Sequence, residues 1–191
     1  MLRLGSRLIG TPVMGLQTGS SLATIKAPVI NPGNLKIIAY EIEGPLLNES
    51  PSFLRTADIR EMSSIGMIID SSDEFVGLDD VIAIKKLYEL GFKLLGMSVI
   101  DEAKHKLGKV DDYSIDLISF FIEQISVKRG VMKSFGDTGL LIHRSQVVEI
   151  NNRNIIVRQA KSKLVAIKKP NQMSYLNPFR PPNTQVDGGD S

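Results

Sequence analysis

The segment that decides the fold occurs twice in the chain. It reads Leu94-Leu95-Gly96-Met97-Ser98-Val99-Ile100. Its counterpart lies 86 residues earlier and reads Leu8-Ile9-Gly10-Thr11-Pro12-Val13-Met14. Both copies place apolar residues at corresponding positions around a shared glycine. A segment that returns in this form indicates an internal repeat.

The correspondence extends outward from this segment with small changes of offset. At an offset of 85 residues, apolar positions match between residues 22–42 and 107–127. At an offset of 88 residues, they match between residues 59–69 and 147–157. The offset changes only where loops are expected, so the sequence predicts two similar halves.

Each half has the pattern of short β-strands. Residues 37–43 and 122–128 alternate between apolar and polar side chains, which is typical of half-buried strands. Residues 146–150 and 155–157 predict two further strands around the polar turn 151–154. Several strands within about 75 residues favour a small barrel over an open sheet, because a barrel leaves no exposed edges.

The segment between the halves predicts a short helix. An aspartate, Asp79 or Asp80, can cap its start, and Gly91 can end it in the left-handed conformation. One apolar face recurs at helical spacing and comprises Val81, Ile84, Leu87 and Tyr88. Because this linker is so apolar, we predict that it is a helix that docks the two halves and not a flexible tether.

These patterns predict an all-β chain in four parts. Repeat 1 covers residues 1–78, a helical linker 79–91, repeat 2 residues 92–168 and a tail 169–191. We expect the tail to be mobile, since its Pro, Asn and Gly residues cannot build a core.

The second half resembles the PRC-barrel family. The resemblance is carried by Leu95–Asp101, by the Leu-Gly-x-Val-x-Asp pattern in Lys106–Asp112, and by the strand Ile122–Val127. The first half is similar but degenerate, because Ala23 replaces the glycine and Ala27 the aspartate. Taken over residues 3–160, the resemblance implies two small PRC-like β-barrels in tandem, joined by a short helix.

The family also implies a function. It includes the cytoplasmic domain of the photosynthetic reaction-centre H subunit and the C-terminal domain of the bacterial ribosome maturation factor M. The resemblance therefore implies a bacterial, non-enzymatic adaptor that binds a partner protein, and it supplies no catalytic residues. Two alternatives remain open, a ribosome-assembly-associated factor and a membrane- or division-associated adaptor that acts through a partner. An enzyme is the remote alternative.

The composition excludes several classes of site. Hydrophobic residues make up 42% and charged residues 23% of the 191 residues, as in soluble globular proteins. The chain has no cysteine, which excludes disulfides, thiolate metal sites and cysteine nucleophiles. Two histidines argue against a multi-histidine metal centre, and a net charge of +2 creates no strong field for nucleic acid. We expect no cofactor, no metal and no direct nucleic-acid binding.

The chain carries no recognisable targeting signal or lipidation motif, and no apolar run long enough to span a membrane. These features predict a cytoplasmic protein without a membrane anchor of its own.

Two polar clusters are candidates for chemistry. Hard oxygen ligands for a divalent cation could come from Asp101, Glu102, Asp111, Asp112 and Asp116, although aspartates in turns usually bind their own backbone. The structural interpretation is favoured. His143, Arg144 and Ser145 are adjacent, but neighbours on a strand point to opposite faces, so His143 and Arg144 are predicted not to share a site.

The candidate partner-binding residues fall into two groups. One is a basic set near the end of a predicted strand, Lys128, Arg129 and Lys133. The other lies in a Pro-rich segment of the tail and comprises Tyr175, Phe179 and Arg180. This segment is interpreted either as an extended docking peptide or as incidental apolar residues in a disordered end.

Overall fold

Strands dominate the computed structural model, which describes residues 1–128 and 139–158. These residues fall within one compact unit, Met1–Gln159. The all-β class predicted from the sequence is confirmed. The elements are β1 (Leu2–Leu4), β2 (Pro12–Gly15), β3 (Ser21–Asn31), β4 (Lys36–Glu43), β5 (Ser52–Arg55), β6 (Glu61–Met62), β7 (Met67–Ile69), β8 (Phe75–Gly77), α1 (Ile82–Glu89), β9 (Ser98–Asp101), β10 (Lys106–Asp116), β11 (Ile122–Lys128), β12 (Leu140–His143), β13 (Val147–Ile150) and β14 (Asn154–Val157).

The strands form two sheets with the same internal order. The first sheet runs β6-β7-β2-β3-β4-β5-β8. Read in the same direction, the second sheet runs β13-β14-β9-β10-β11-β12, and β1 is added to β10. In each sheet one pair is parallel, β2 with β7 and β9 with β14. The long strands also break register at corresponding places, between Ile25 and Ala27 in β3 and between Val110 and Asp112 in β10. The repeat in the sequence is therefore a repeat of strand pairing.

The two ends of the second sheet approach one another. In the second sheet, β12 and β13 stand at opposite ends of the strand order, yet only the 3₁₀ turn Arg144–Gln146 joins them. Three intervening residues span only about 13 Å when extended, so the sheet must curl. Among the described residues no strand pairing closes either sheet, and the predicted closed barrels are not confirmed.

Strand β1 joins the sheet of the other half. It precedes the first sheet in sequence but pairs antiparallel with β10, and Arg3 stands opposite Ile115. The hairpins β3–β4 and β10–β11 also meet end to end, through an isolated bridge between Lys36 and Phe121. The two sheets are thus linked by main-chain pairing as well as by side-chain packing.

Helix α1 lies where the apolar spacing predicts a helix, and it packs on the first sheet. Ile84 is buried against Val29, Ala39 and Phe53, and Gly91 follows the helix with φ of +62°. The predicted aspartate cap is wrong, because the residue at the N-cap is Val81, which has no polar side-chain atom.

The two aspartates before the helix make other bonds. Asp79 binds the Lys85 ammonium at 2.6 Å, and Asp80 accepts the Gly77 amide at 2.7 Å. Both carboxylates are therefore used outside the helix start.

One hydrophobic core runs through both sheets. Fully buried residues at corresponding positions include Val13 and Val99, and Ile37 and Ile122. The aliphatic pattern that defines the repeat is thus the pattern of the core. Within the described residues, no helix has the length and apolarity needed to cross a membrane.

Candidate functional site

A cavity of about 700 Å³ runs along strand β3. We call it the β3 groove; it is lined by residues 26–30 of β3, by Leu87 and Tyr88 of α1, and by residues 91–95 after the helix. Successive residues of a strand point to opposite faces of the sheet. A cavity lined by five consecutive residues must therefore follow the edge of the strand rather than one face.

This edge of β3 has no strand partner over half its length. Strand β2 pairs with β3 no farther than Thr24, and the next bond runs from the Ile25 amide to the Thr11 carbonyl at 2.9 Å. Beyond Ile25, no strand in the described part of the chain pairs with this edge. Pro28 lies in this stretch, and proline, which has no N–H, is confined to such edges. The groove is bounded by an open sheet edge.

The second half fills the corresponding place. Residues 114–116 of β10, which correspond to residues 29–31 of β3, are paired with β1. The counterpart of the N-terminal segment 1–7 is the segment 87–93. In the first half that segment contains the last turn of α1 and its exit, and five of its residues line the groove. The groove therefore occupies the position that a strand holds in the other half.

Lys26 and Glu41 form an ion pair in the lining. The ammonium of Lys26 lies 2.6 Å from Oε1 of Glu41, whose side chain is nearly buried. The hydrogen bond and the charge of Glu41 raise the pKa of Lys26 above its ordinary value. Lys93, at the exit of the helix, is exposed and has no ion pair among the described residues. The lining carries one neutralised pair and one unpaired cation.

Aromatic rings shape two walls of the groove. Tyr113 of β10 packs so closely on Gly5 that a Cβ at position 5 would overlap its ring. Burial, followed by the nearby charge of Asp112, raises the pKa of Tyr113, so its hydroxyl stays protonated. On the helix side, Tyr88 meets Phe53 edge to face at 5.0 Å between ring centroids. Packing within the protein holds both walls in place, so the walls are formed before a ligand binds.

None of the groove residues was singled out as a binding residue from the sequence. The available signals were Pro28 within an apolar strand pattern and Ala27 where the family pattern has aspartate. Each signal marks a strand whose sequence differs from that of the corresponding strand in the other half. Neither reveals a cavity, because the cavity depends on where residues 87–93 pass.

His143 and Arg144 share a partner, contrary to the sequence prediction. The Arg144 Nε lies 3.2 Å and the His143 Nε2 3.4 Å from Oε2 of Glu123. The prediction is wrong because Arg144 begins a 3₁₀ turn, which ends the alternation of a strand. The His143 Nδ1 contacts the Ser145 hydroxyl at 2.8 Å and accepts the Ser145 amide at 3.2 Å. This geometry is that of a cap on the turn.

Three members of the acidic set bind groups of the fold. Asp101 accepts the His105 amide at 2.8 Å, Asp112 accepts the Ser6 hydroxyl at 2.5 Å, and Asp116 accepts the Ser119 hydroxyl at 2.8 Å. Among the described residues, no group of three or more potential ligands could hold a metal ion. These contacts favour the structural interpretation of the acidic set.

His105 is bonded rather than simply solvated. Its Nδ1 lies 2.9 Å from Oδ2 of Asp101, although most of the ring is exposed. Burial would raise the pKa of Asp101, but the hydrogen bonds from His105 outweigh it and hold the pKa below its usual value.

Lys128 is the one candidate partner-binding residue within the described part of the chain. It ends β11, is exposed, and stands opposite Lys109 of β10. It lies outside the lining of the β3 groove. The predictions on the tail and on five further residues lie outside the described residues, and these five are Arg129, Lys133, Tyr175, Phe179 and Arg180.

No protein-family model matches this chain, and no curated protein matches it. The PRC-barrel resemblance therefore remains a prediction from the residues themselves.

Proposed function

We propose that the protein is a non-enzymatic adaptor that binds a partner protein in the β3 groove. The observation that carries this proposal is the open edge of β3 beside an apolar cavity of about 700 Å³. Grooves of this size with a few polar groups are typical binding sites. Lys26 and Glu41 are the groups of the lining best placed for acid–base chemistry. Because they bind each other, the lining favours recognition over catalysis.

We also propose that each half is a PRC-type barrel. The common strand order, the matching breaks in register and the curl of the second sheet support this assignment. The opening between β12 and β13, spanned by the turn Arg144–Gln146, is then a local interruption of the barrel. The resemblance favours a bacterial adaptor that acts in the cytoplasm.

Affinity capture from a lysate tests the adaptor, with matched variants as bait. Ala27 lines the groove, and Ala27→Lys places a charge in it. Asp112 holds the corresponding position in the second half, so a charged residue is compatible with the strand. Ala57→Lys adds the same charge at an exposed site outside the groove.

We expect mass spectrometry to identify proteins that bind the wild type and the A57K protein but not the A27K protein. Ribosomal proteins among them would assign the adaptor to ribosome assembly, and membrane or division proteins would assign it to those processes. Equal capture by A27K and A57K would contradict the proposal. A thermal shift with a specific metabolite, without any protein partner, would contradict it too.

A further inference from the structure

The second half provides an internal template for what the β3 groove accepts. Strand β1 lies on β10 in extended conformation, antiparallel, with Arg3 opposite Ile115. The Leu117 amide donates to the Met1 carbonyl at 3.1 Å, whereas the Asp116 amide donates to the Phe121 carbonyl at 2.9 Å on the other side. Because backbone groups alternate along a strand, those of Ile115 and Leu117 face β1.

The same alternation aims the backbone of Ile30 at the groove. Ile30 corresponds to Ile115, and Asn31, which corresponds to Asp116, stands opposite Lys36 on β4. Pro28 and Pro32 flank Ile30 at the positions that face the same way. Neither has an N–H, so Ile30 offers the one amide donor of this stretch, together with its carbonyl. A strand added here would form its central pair of bonds at Ile30.

We propose that the β3 groove binds a short extended segment of a partner protein, whose backbone pairs with Ile30 as Arg3 pairs with Ile115. This inference rests on the proposed adaptor function and specifies how the partner is held. Strand addition to a sheet edge draws affinity from main-chain bonds and specificity from pockets for the side chains. Because Pro28 and Pro32 limit the main-chain bonds, the half-buried apolar side chains of Leu87 and Tyr88 supply most of the affinity.

The charges of the lining specify the partner further. In the second half, the carboxylates of Asp112 and Asp116 receive the Ser6 hydroxyl and the amino group of Met1. Ala27 and Asn31 replace those carboxylates in the first half, so the groove is not built for a basic segment. Lys93 is the cation of the lining that has no ion pair within residues 1–128 and 139–158. The segment is therefore apolar and carries an acidic side chain that binds Lys93.

The experiment uses the full chain and a phage library of random peptides about twelve residues long. Selected peptides are synthesised, their affinities are measured by calorimetry, and amide hydrogen exchange is followed by NMR with and without peptide. The variants are Ala27→Lys and Lys93→Glu, with Ala57→Lys and Lys86→Glu as controls of equal charge outside the groove. Thermal unfolding of each variant verifies that it is folded.

We expect the selected peptides to be apolar with an acidic residue and to slow exchange of the Ile30 amide about tenfold or more. Affinity should fall about tenfold for A27K, fall less for K93E, and stay unchanged in both controls. In the free chain the Ile30 amide should exchange much faster than that of Ile115, which β1 covers.

Four results would overturn the inference. Selected peptides that lose affinity in A27K without protecting Ile30 would refute strand pairing while leaving the adaptor function intact. If no peptide is selected, or if peptides bind A27K and A57K with equal affinity, the groove does not bind extended segments. The lysate capture then decides whether the groove binds a folded partner. Protection of Ile30 in the free chain would assign the edge to a second copy if it depended on concentration, and to the chain itself if it did not.

Discussion

The backbone amide of Ile37 donates to the carbonyl of Phe120 at 2.9 Å, which joins β4 to the hairpin of the other half. A reciprocal bond of the same length runs from the Ile122 amide to the Leu35 carbonyl. Ile37 and Ile122 occupy matching positions of the repeat, as do Leu35 and Phe120. Leu35 and Phe120 also share a left-handed backbone, with φ of 57° and 56°. The halves therefore meet through an approximately twofold arrangement of the same hairpin end.

This junction predicts that the two halves unfold together. A core common to both sheets and the pairing of β1, which belongs to the first half, with the second sheet couple the two halves. The amides of Gly10 and Gly96 are matched reporters, because each donates a 2.8 Å bond at the same place of its half. Their native NMR signals should disappear with one midpoint in a urea titration. Two separate midpoints would identify independently folding halves.

Gly108→Ala should destabilise the fold strongly. Gly108 has φ of +150°, and an added Cβ would clash with the carbonyl of Lys128 on β11. We expect a loss above about 3 kcal/mol, because both the backbone and the neighbouring strand must shift. Gly96→Ala is the control, since φ is +80° but nothing lies within 4 Å of the new Cβ. It should cost only about 1–2 kcal/mol by chemical denaturation; equal losses would refute the steric cause.

Asp116 should make stability depend on pH below 4. Hydrogen bonds from the Ser119 side chain, the amino group of Met1 and the Ser119 amide lower the pKa of Asp116 from 3.8 to about 2. A carboxyl whose pKa is lower in the folded state stabilises it above the unfolded-state value. That contribution is lost as the pH falls from about 4 to about 2.

The measurement is urea unfolding of the wild type, Asp116→Asn and Ser119→Ala between pH 2 and pH 6. The free-energy difference between wild type and Asp116→Asn should be largest at pH 6 and shrink below pH 4. Ser119→Ala, which removes the leading cause of the shift, should give a smaller pH-dependent part. A difference that is constant across this range would show that the carboxylate charge contributes nothing.

Tyr40→Phe should leave stability unchanged or raise it by up to about 1 kcal/mol. The Tyr40 side chain is 1% exposed, and its hydroxyl has no hydrogen-bond partner among the described residues. Removing an unsatisfied buried hydroxyl while keeping the ring removes a desolvation cost. Tyr40→Ala tests the packing at the same site and should cost about 3–5 kcal/mol. A marked loss in Tyr40→Phe would reveal a bonded hydroxyl.

The sequence predicted the features that local pattern controls. Alternation located β4 and β11, and helical spacing located α1 and its buried residue Ile84. The N-cap at Val81 was not predicted, because Asp79 and Asp80 bind other groups in the folded chain. The contact of His143 and Arg144 with Glu123 escaped it because a strand turns into a 3₁₀ turn between them.

The departure of the first half from the Leu-Gly-x-Val-x-Asp pattern also has a structural reason. Ala23 stands where the second half has Gly108, and Gly44 lies across from it. A Cβ at position 44 would come within 3.2 Å of the Ala23 Cα. In the first half the glycine that makes room therefore lies directly after the neighbouring strand β4.

The sequence by itself determined the duplication, the strand content and the buried aliphatic positions, because these follow from the period and order of side chains along the chain. The tertiary structure alone decided that β1 completes the second sheet while residues 87–93 add no strand to the edge of β3. Two segments at equivalent positions can differ in this way because strand pairing joins residues far apart in sequence, and one of the two segments begins as the last turn of a helix. The β3 groove results from that difference.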